Sequence, residues 1–331
     1  MIRIFRNNQP LNLILLLIMV FILRGSIFLG NSPANGIWLS APLSNNLDEW
    51  LNSKLSNPQI FYNIFSLVLL LIEAIYLNYI LIKHNFFFKN SYLPALFYVL
   101  VNSLYPAMLG HSSQLLAAFF LIVVLDKLFS LYDNENAVTK IIDAGVFTGI
   151  AALFSFDALM FLPFVVYSVA SIRPFKLREV VLSACGLFIP LYVLAVIYFL
   201  KGDVETVKNG FFIVNTATNI NAIQFSYENI TPLIIALPLS VIAFFMYQND
   251  IGRNNVKTRK IQNVVLVMLF FSVGSAFFSK PSFVYSLPYI SIPLGIILSY
   301  YFLLERKKGD AIKEIIFGAL AILIIVLQII K

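Results

Sequence analysis

A chain of 331 residues that is 60% hydrophobic and only 12% charged departs from water-soluble domains, in which about a quarter of residues are charged. With a mean hydropathy of +0.87, the composition excludes an ordinary soluble enzyme and points to the bilayer. The formal charge of +7 does not call for nucleic acid, because the basic residues sit in short loops between apolar runs, and the single Cys185 excludes both an intramolecular disulfide and a cysteine-based metal site.

Arg3 and Arg6 precede an apolar run that begins at Leu11, an arrangement that imitates a signal peptide. The run continues past Arg24 to Leu29 with no convincing small-x-small cleavage site after it, so it is expected to remain as a first span. A hydrocarbon core of about 30 Å takes about 20 apolar helical residues. Segments 11–29, 60–82, 92–109, 115–132, 141–154, 158–172, 180–200, 231–247, 261–279, 282–304 and 314–330 meet that need. The expectation is an all-α, polytopic transmembrane helix bundle of about eleven spans, with residues 1–331 forming a single integral membrane domain. Segments 141–154 and 158–172 are short, and one long helix is the alternative. A hairpin is expected instead, because a single helix would bury Asp157 in mid-membrane and place three later basic clusters on the outer side.

Loops on the cytoplasmic side collect Lys and Arg. With the N-terminus inside, the clusters around Lys83 and Lys89, Lys127 and Lys140, Arg173 to Arg178, Arg253 to Lys260 and Arg306 to Lys313 all fall inside. Lys54, Lys201, Lys208, Lys280 and Lys331 remain outside, and so does the C-terminus. Two sizeable segments, 30–59 and 201–230, become outer loops.

In the first of these loops Leu47, Trp50, Leu51 and Leu55 recur at i, i+3, i+4 and i+8, which predicts a surface helix over 46–56 with Trp50 at headgroup depth. Asn45 or Asn46 would cap it, and Asp48 and Glu49 would sit in its first turn, where the helix dipole favours negative charge. The other reading of this acidic pair is a general base or a metal ligand at the membrane surface. Arg24 lies near the outer end of the first span, either snorkelling to the interface or serving a function. Glu73 falls in the middle of the second span with Asn78 just beyond it. A lone carboxylate there costs several kcal/mol unless paired or protonated, so it should face the bundle interior, as a structural hydrogen-bonding group or as a proton relay. Gly145-x-x-x-Gly149, with Ala151 and Ala152, is a small-residue face for close helix packing. His84 and His111 are expected on opposite membrane faces. Glycine-rich phosphate loops, paired metal-binding histidines and a Ser-His-Asp pattern are absent from the sequence.

One span, an outer segment with an Asp-Glu pair and a surface helix, five closely spaced spans, a further span and a second long outer segment together resemble the GT-C superfamily of membrane glycosyltransferases. Leu93-Pro-Ala-Leu, Leu104-Tyr-Pro-Ala-Met and Ala144-Gly-Val-Phe-Thr-Gly-Ile-Ala-Ala-Leu are similar to it as well, so that the likeness covers roughly residues 1–230. The resemblance implies transfer of a sugar from a polyprenyl-phosphate donor at the outer face. Asp48 would then be the base or metal ligand, Glu49 its partner, and Arg24, Lys201, Lys208 and Lys280 phosphate contacts. Tyr92-Leu-Pro-Ala-Leu-Phe-Tyr-Val-Leu, Arg173-Pro-Phe-x-x-Arg-Glu and Gly186-Leu-Phe-Ile-Pro190 also resemble a multi-pass family of flavobacteria and their relatives. That likeness implies the bacterial inner (cytoplasmic) membrane.

Three function classes follow. The leading expectation is a non-enzymatic membrane subunit or scaffold of an envelope complex, whose partners are membrane lipids and other envelope membrane proteins, without nucleic acid. The alternatives are the GT-C-like transferase and a transporter built around Glu73. No cofactor is expected, a divalent metal entering only with the transferase.

Overall fold

The computed structural model describes residues 2–7, 9–29, 41–55, 58–105, 109–110, 112–132, 137–174, 176–202, 227–277, 283–303 and 310–329. Their regular structure is helical, with no strand among them. In chain order the helices are α1 (Ile2–Phe5), α2 (Leu11–Arg24), α3 (Pro42–Lys54), α4 (Pro58–Lys83), α5 (Leu93–Asn102), α6 (Ser113–Phe129) and α7 (Ala137–Phe154). They continue with α8 (Phe161–Ile172), α9 (Leu177–Leu200), α10 (Tyr227–Ile251), α11 (Val256–Ala276), α12 (Leu287–Leu303) and α13 (Asp310–Ile329). Each expected apolar segment carries a helix. Four helical stretches, Pro58–Lys83, Ala137–Phe154, Leu177–Leu200 and Val284–Leu303, are long and apolar enough to cross a membrane.

α4 is apolar on both faces. Asn63, Ser66, Glu73 and Asn78 lie among leucines on its buried face, whereas Ile60, Ile64, Val68, Ile72, Ile75 and Tyr79 are exposed. An exposed apolar face, with the polar groups turned inward, suits a helix surrounded by hydrocarbon. α5 is buried along its whole length, and 83% of the apolar window of α12 is buried, so these two helices form the centre. α2, α4, α6, α10, α11 and α13 pack around them, and α9 lies at the edge with 22% of its window buried.

Segment 92–109 departs from its expectation. Its helix stops at Asn102, and ten residues span about 15 Å, half the hydrocarbon thickness. α5 is a half-helix enclosed by other helices. Segments 141–154 and 158–172 form the expected break: α7 ends at Phe154, Ser155 is extended, and Asp157 sits in a 3₁₀ turn over Phe156–Met160 before α8.

The small-residue face of α7 meets α9 backbone to backbone. A Cβ on Gly145 would strike Ser183 O, one on Gly149 would lie 2.5 Å from Leu187 O, and one on Gly186 would lie 2.5 Å from Ile142 O. Gly295 does the same for α12 on α5, where a Cβ would lie 3.0 Å from Tyr98 N.

α3 forms, but it begins earlier than 46. Ala41 is its N-cap without a side-chain bond, Pro42 occupies the first turn, and no acid lies in that turn. The expected capping by Asn45 or Asn46 and the first-turn placement of Asp48 and Glu49 are therefore corrected, because proline's fixed φ starts the helix at Pro42. Leu43 and Leu47 pack on the core and Asn46 Nδ2 donates to Tyr198 Oη at 2.8 Å, while Trp50 is 59% exposed.

Basic side chains gather at one end. Lys83 and His84 meet Asp126, at 2.9 and 2.8 Å, and Lys127 meets Asp143 at 2.8 Å. Lys260 Nζ reaches Ile172 O at 2.6 Å and Lys313 Nζ reaches Tyr301 O at 2.8 Å. Arg6 donates to Phe302 O at 2.9 Å.

Candidate functional site

A cluster of buried polar side chains surrounds the end of α5. A helix leaves its last carbonyls without intrahelical donors and carries partial negative charge there. Non-helical backbone at membrane depth is tolerated only where protein satisfies it. Ser103 N and Leu104 N turn back to Val99 O, Leu100 O and Val101 O. Arg24 Nη2 donates to Asn102 O at 3.3 Å and Nη1 to Leu109 O at 3.1 Å, with Nε 3.4 Å from Ser103 Oγ. Gln328 Nε2 donates to Leu23 O and, at 3.4 Å, to Ser103 O, while its Oε1 accepts from Ser26 Oγ at 3.1 Å. The carbonyls freed by the break are thus met by a guanidinium from α2 and an amide from α13.

Arg24 is 1% exposed, which overturns the snorkelling expectation. Its position explains why: Arg24 follows Leu16 and Val20 on the buried stripe of α2, while Leu17, Ile18, Phe21 and Ile22 face outward. Arg24 and Glu73 interact electrostatically without direct contact. Glu73 Oε2 accepts from Tyr98 Oη at 2.7 Å, and Oε1 has no hydrogen-bond partner among the described residues. One turn beyond Tyr98, Asn102 Nδ2 donates to Ser291 Oγ at 2.7 Å, and that hydroxyl donates to Pro288 O at 2.7 Å. The close approach at Gly295 sets this register, since Ser291 lies one turn before Gly295 as Asn102 lies one turn after Tyr98.

The sequence-predicted residues divide accordingly. Arg24 and Glu73 come together, and Asn78 is buried on α4 with its Oδ1 unpartnered among the described residues. Asp48 is elsewhere: it accepts from Tyr62 Oη and, at 3.1 Å, from Asn52 Nδ2, and neither bond brings it to Arg24. Glu49 is exposed, and Lys201 is exposed at the end of α9. Lys208, Lys280 and His111 lie outside the described residues. Among the described residues no group of three or more His, Cys, Asp or Glu could hold a metal ion. Tyr98, Asn102, Ser103, Ser291 and Gln328 were not singled out from the sequence. Their only signal was polarity within an apolar run.

Chemically, the cluster offers one cation, one carboxylate and neutral donors, all sealed among five helices. Tyr98→Phe should leave Glu73 without its donor, and about 1–3 kcal/mol of stability should be lost; thermal unfolding in detergent measures this.

Fold and site together define an all-helical bundle built on a capped half-helix. The chain belongs to the family described as a family of unknown function, DUF6427, whose model matches residues 52–331. No curated protein and no solved structure matches it.

Proposed function

We propose that this is an integral protein of the bacterial inner membrane, N-terminus cytoplasmic and C-terminus outside, acting as a non-enzymatic subunit or scaffold of an envelope complex. The observation that carries the reading is the use made of Arg24: the cation expected to hold a donor's phosphate is buried and donates instead to backbone carbonyls at the end of α5. Helices of membrane-crossing length and apolarity support the location. The gathering of basic side chains at one end supports the orientation, because positive loops stay inside. α9 supports the subunit role, since Phe188, Ile189, Tyr192 and Val193 on its flank are free to meet lipid or a partner.

The orientation predicts that, with Cys185 replaced, a cysteine at Ser53 reacts with an impermeant thiol reagent in intact cells and one at Asn254 only after lysis. Equal labelling of both from outside would contradict it.

The GT-C-like reading, with a polyprenyl-phosphate-linked sugar, keeps one specific support: Asp48 lies at the end of the bundle opposite the basic contacts, beside the start of α4. The two readings separate on Asp48→Asn. Asparagine Oδ1 can accept from both Tyr62 and Asn52, so stability should stay within about 0.5 kcal/mol. As a scaffold residue it should complement a deletion strain fully, with unchanged envelope glycans. Loss of a glycan at normal protein level would overturn the scaffold and favour transfer.

A further inference from the structure

The bundle holds an apolar cleft of about 550 Å³ between α5, α10, α11 and α12. Its floor is buried: Val101, Leu104 and Tyr105 from the end of α5, and Leu287 at the start of α12. Its rim is exposed, with Leu237, Val241 and Phe245 on α10 and Val273 on α11 between 45% and 59% exposed. The cleft therefore opens sideways, between α10 and α11, and not at an end of the bundle. Ser240 lies within it, but its hydroxyl donates to Leu237 O of its own helix at 2.7 Å. A charged or strongly hydrogen-bonding ligand finds no partner in such a lining.

Its dimensions select among apolar occupants. The lining on α10 runs from Ala236 to Phe245, about 13.5 Å at 1.5 Å per residue, close to half of a hydrocarbon core about 30 Å thick. That length is the reach of the hydrocarbon chains of a single leaflet, and the lining is apolar throughout apart from the self-bonded Ser240, so it suits a flexible hydrocarbon chain. The cleft also lies at one end of its helices, beside the last residue of α11 and the first of α12. On α11 and α12 that end is opposite the basic one, and along α10 the lining from Ala236 to Phe245 carries the cleft to the middle of the helix.

We propose that this cleft is a lateral binding site for an acyl chain of a membrane phospholipid from the outer leaflet. It rests on the membrane placement proposed above and not on the scaffold role. The surrounding leaflet supplies the ligand at high local concentration, and the sideways mouth admits a chain whose headgroup stays at the interface.

The test uses full-length protein purified from membranes in mild detergent and examined by native mass spectrometry. Wild type should retain an adduct of phospholipid mass. Ser240→Phe and Ala236→Phe, each placing a ring in the cleft, should lower it at least fivefold. Ile322→Phe, on the exposed face of α13, should leave it unchanged. Equal adducts in all variants, no adduct on wild type, or an adduct of isoprenoid-phosphate mass would overturn the proposal. Should a ring destabilise the bundle, wild type reconstituted with a phospholipid bearing a photoreactive acyl chain decides. Cross-links should map to 236–245 and 269–276, and cross-links confined to α9 would refute the site. A failed membrane placement shows itself separately, as release of the protein from membranes by alkaline washing.

Discussion

Replacing Arg24 with leucine should strip most of the folded protein from the membrane fraction. The guanidinium meets Asn102 O and Leu109 O, which belong to backbone that leaves the helix inside the bundle. Leucine would leave Asn102 O without its donor and Leu109 O with only the 3.3 Å bond from Ser66 Oγ. Breaking a buried charge arrangement by deleting one member costs about 3–5 kcal/mol, a large share of the 5–15 kcal/mol that holds a typical fold. Arg24→Lys should rescue poorly, because one ammonium cannot replace a planar fork directed at two separated carbonyls. Abundance in washed membranes, read with the melting temperature in detergent, measures the effect. Wild-type levels of Arg24→Leu would mean that the end of α5 is satisfied some other way.

Gly145→Val should be nearly as damaging, for a steric reason. The new Cβ would overlap Ser183 O, a backbone atom that cannot rotate away. Either α9 moves off α7 or one of the helices bends. Overpacking of this kind costs about 1–3 kcal/mol, occasionally more, and valine's second γ-carbon adds to it. Gly186→Val attacks the same contact from the other side, towards Ile142 O. The double variant should therefore lose less than the sum of the two, as coupled neighbours do. Gly252→Ala is the control, since a Cβ there meets nothing within 4 Å. Melting temperatures of the four proteins settle the matter.

Much of this was legible before the structure. Apolar runs of spanning length mark the helices, and Gly145 and Gly149 mark the α7–α9 contact. Asp157 at a turn marks the break between α7 and α8, and Glu73 in mid-span has to face inward because hydrocarbon offers it nothing. What hid was the half-helix. Residues 92–109 are apolar throughout, so hydropathy alone cannot tell a spanning helix from one that stops halfway. The Tyr105-Pro106 pair was the available signal, since the residue before proline is pushed away from helical conformation. Arg24 misled for a related reason. In an all-apolar helix the lipid and bundle faces look alike, and nothing but spacing from Leu16 and Val20 tells which way the guanidinium points. Gln328 is a polar residue in a terminal apolar run, yet its partners lie some 300 positions away in the chain, beyond any local pattern. Asp48 drew attention through its setting next to Trp50, and its Oδ1 accepts from Tyr62 and Asn52, partners that no local pattern marks.

Arg24 and Glu73 hold successive turns of the end of α5, the first through Asn102 O and the second through Tyr98 Oη. The direct measurement is a double-mutant cycle on unfolding in lipid nanodiscs, with Arg24→Met, Glu73→Met and both together. Arg24→Met removes the donor to Asn102 O and Glu73→Met the acceptor of Tyr98 Oη, two groups one turn apart on α5. The double variant should be more stable than the sum of the singles by at least about 1 kcal/mol, within the range for coupled neighbours. Strict additivity, or single variants as stable as wild type, would contradict it.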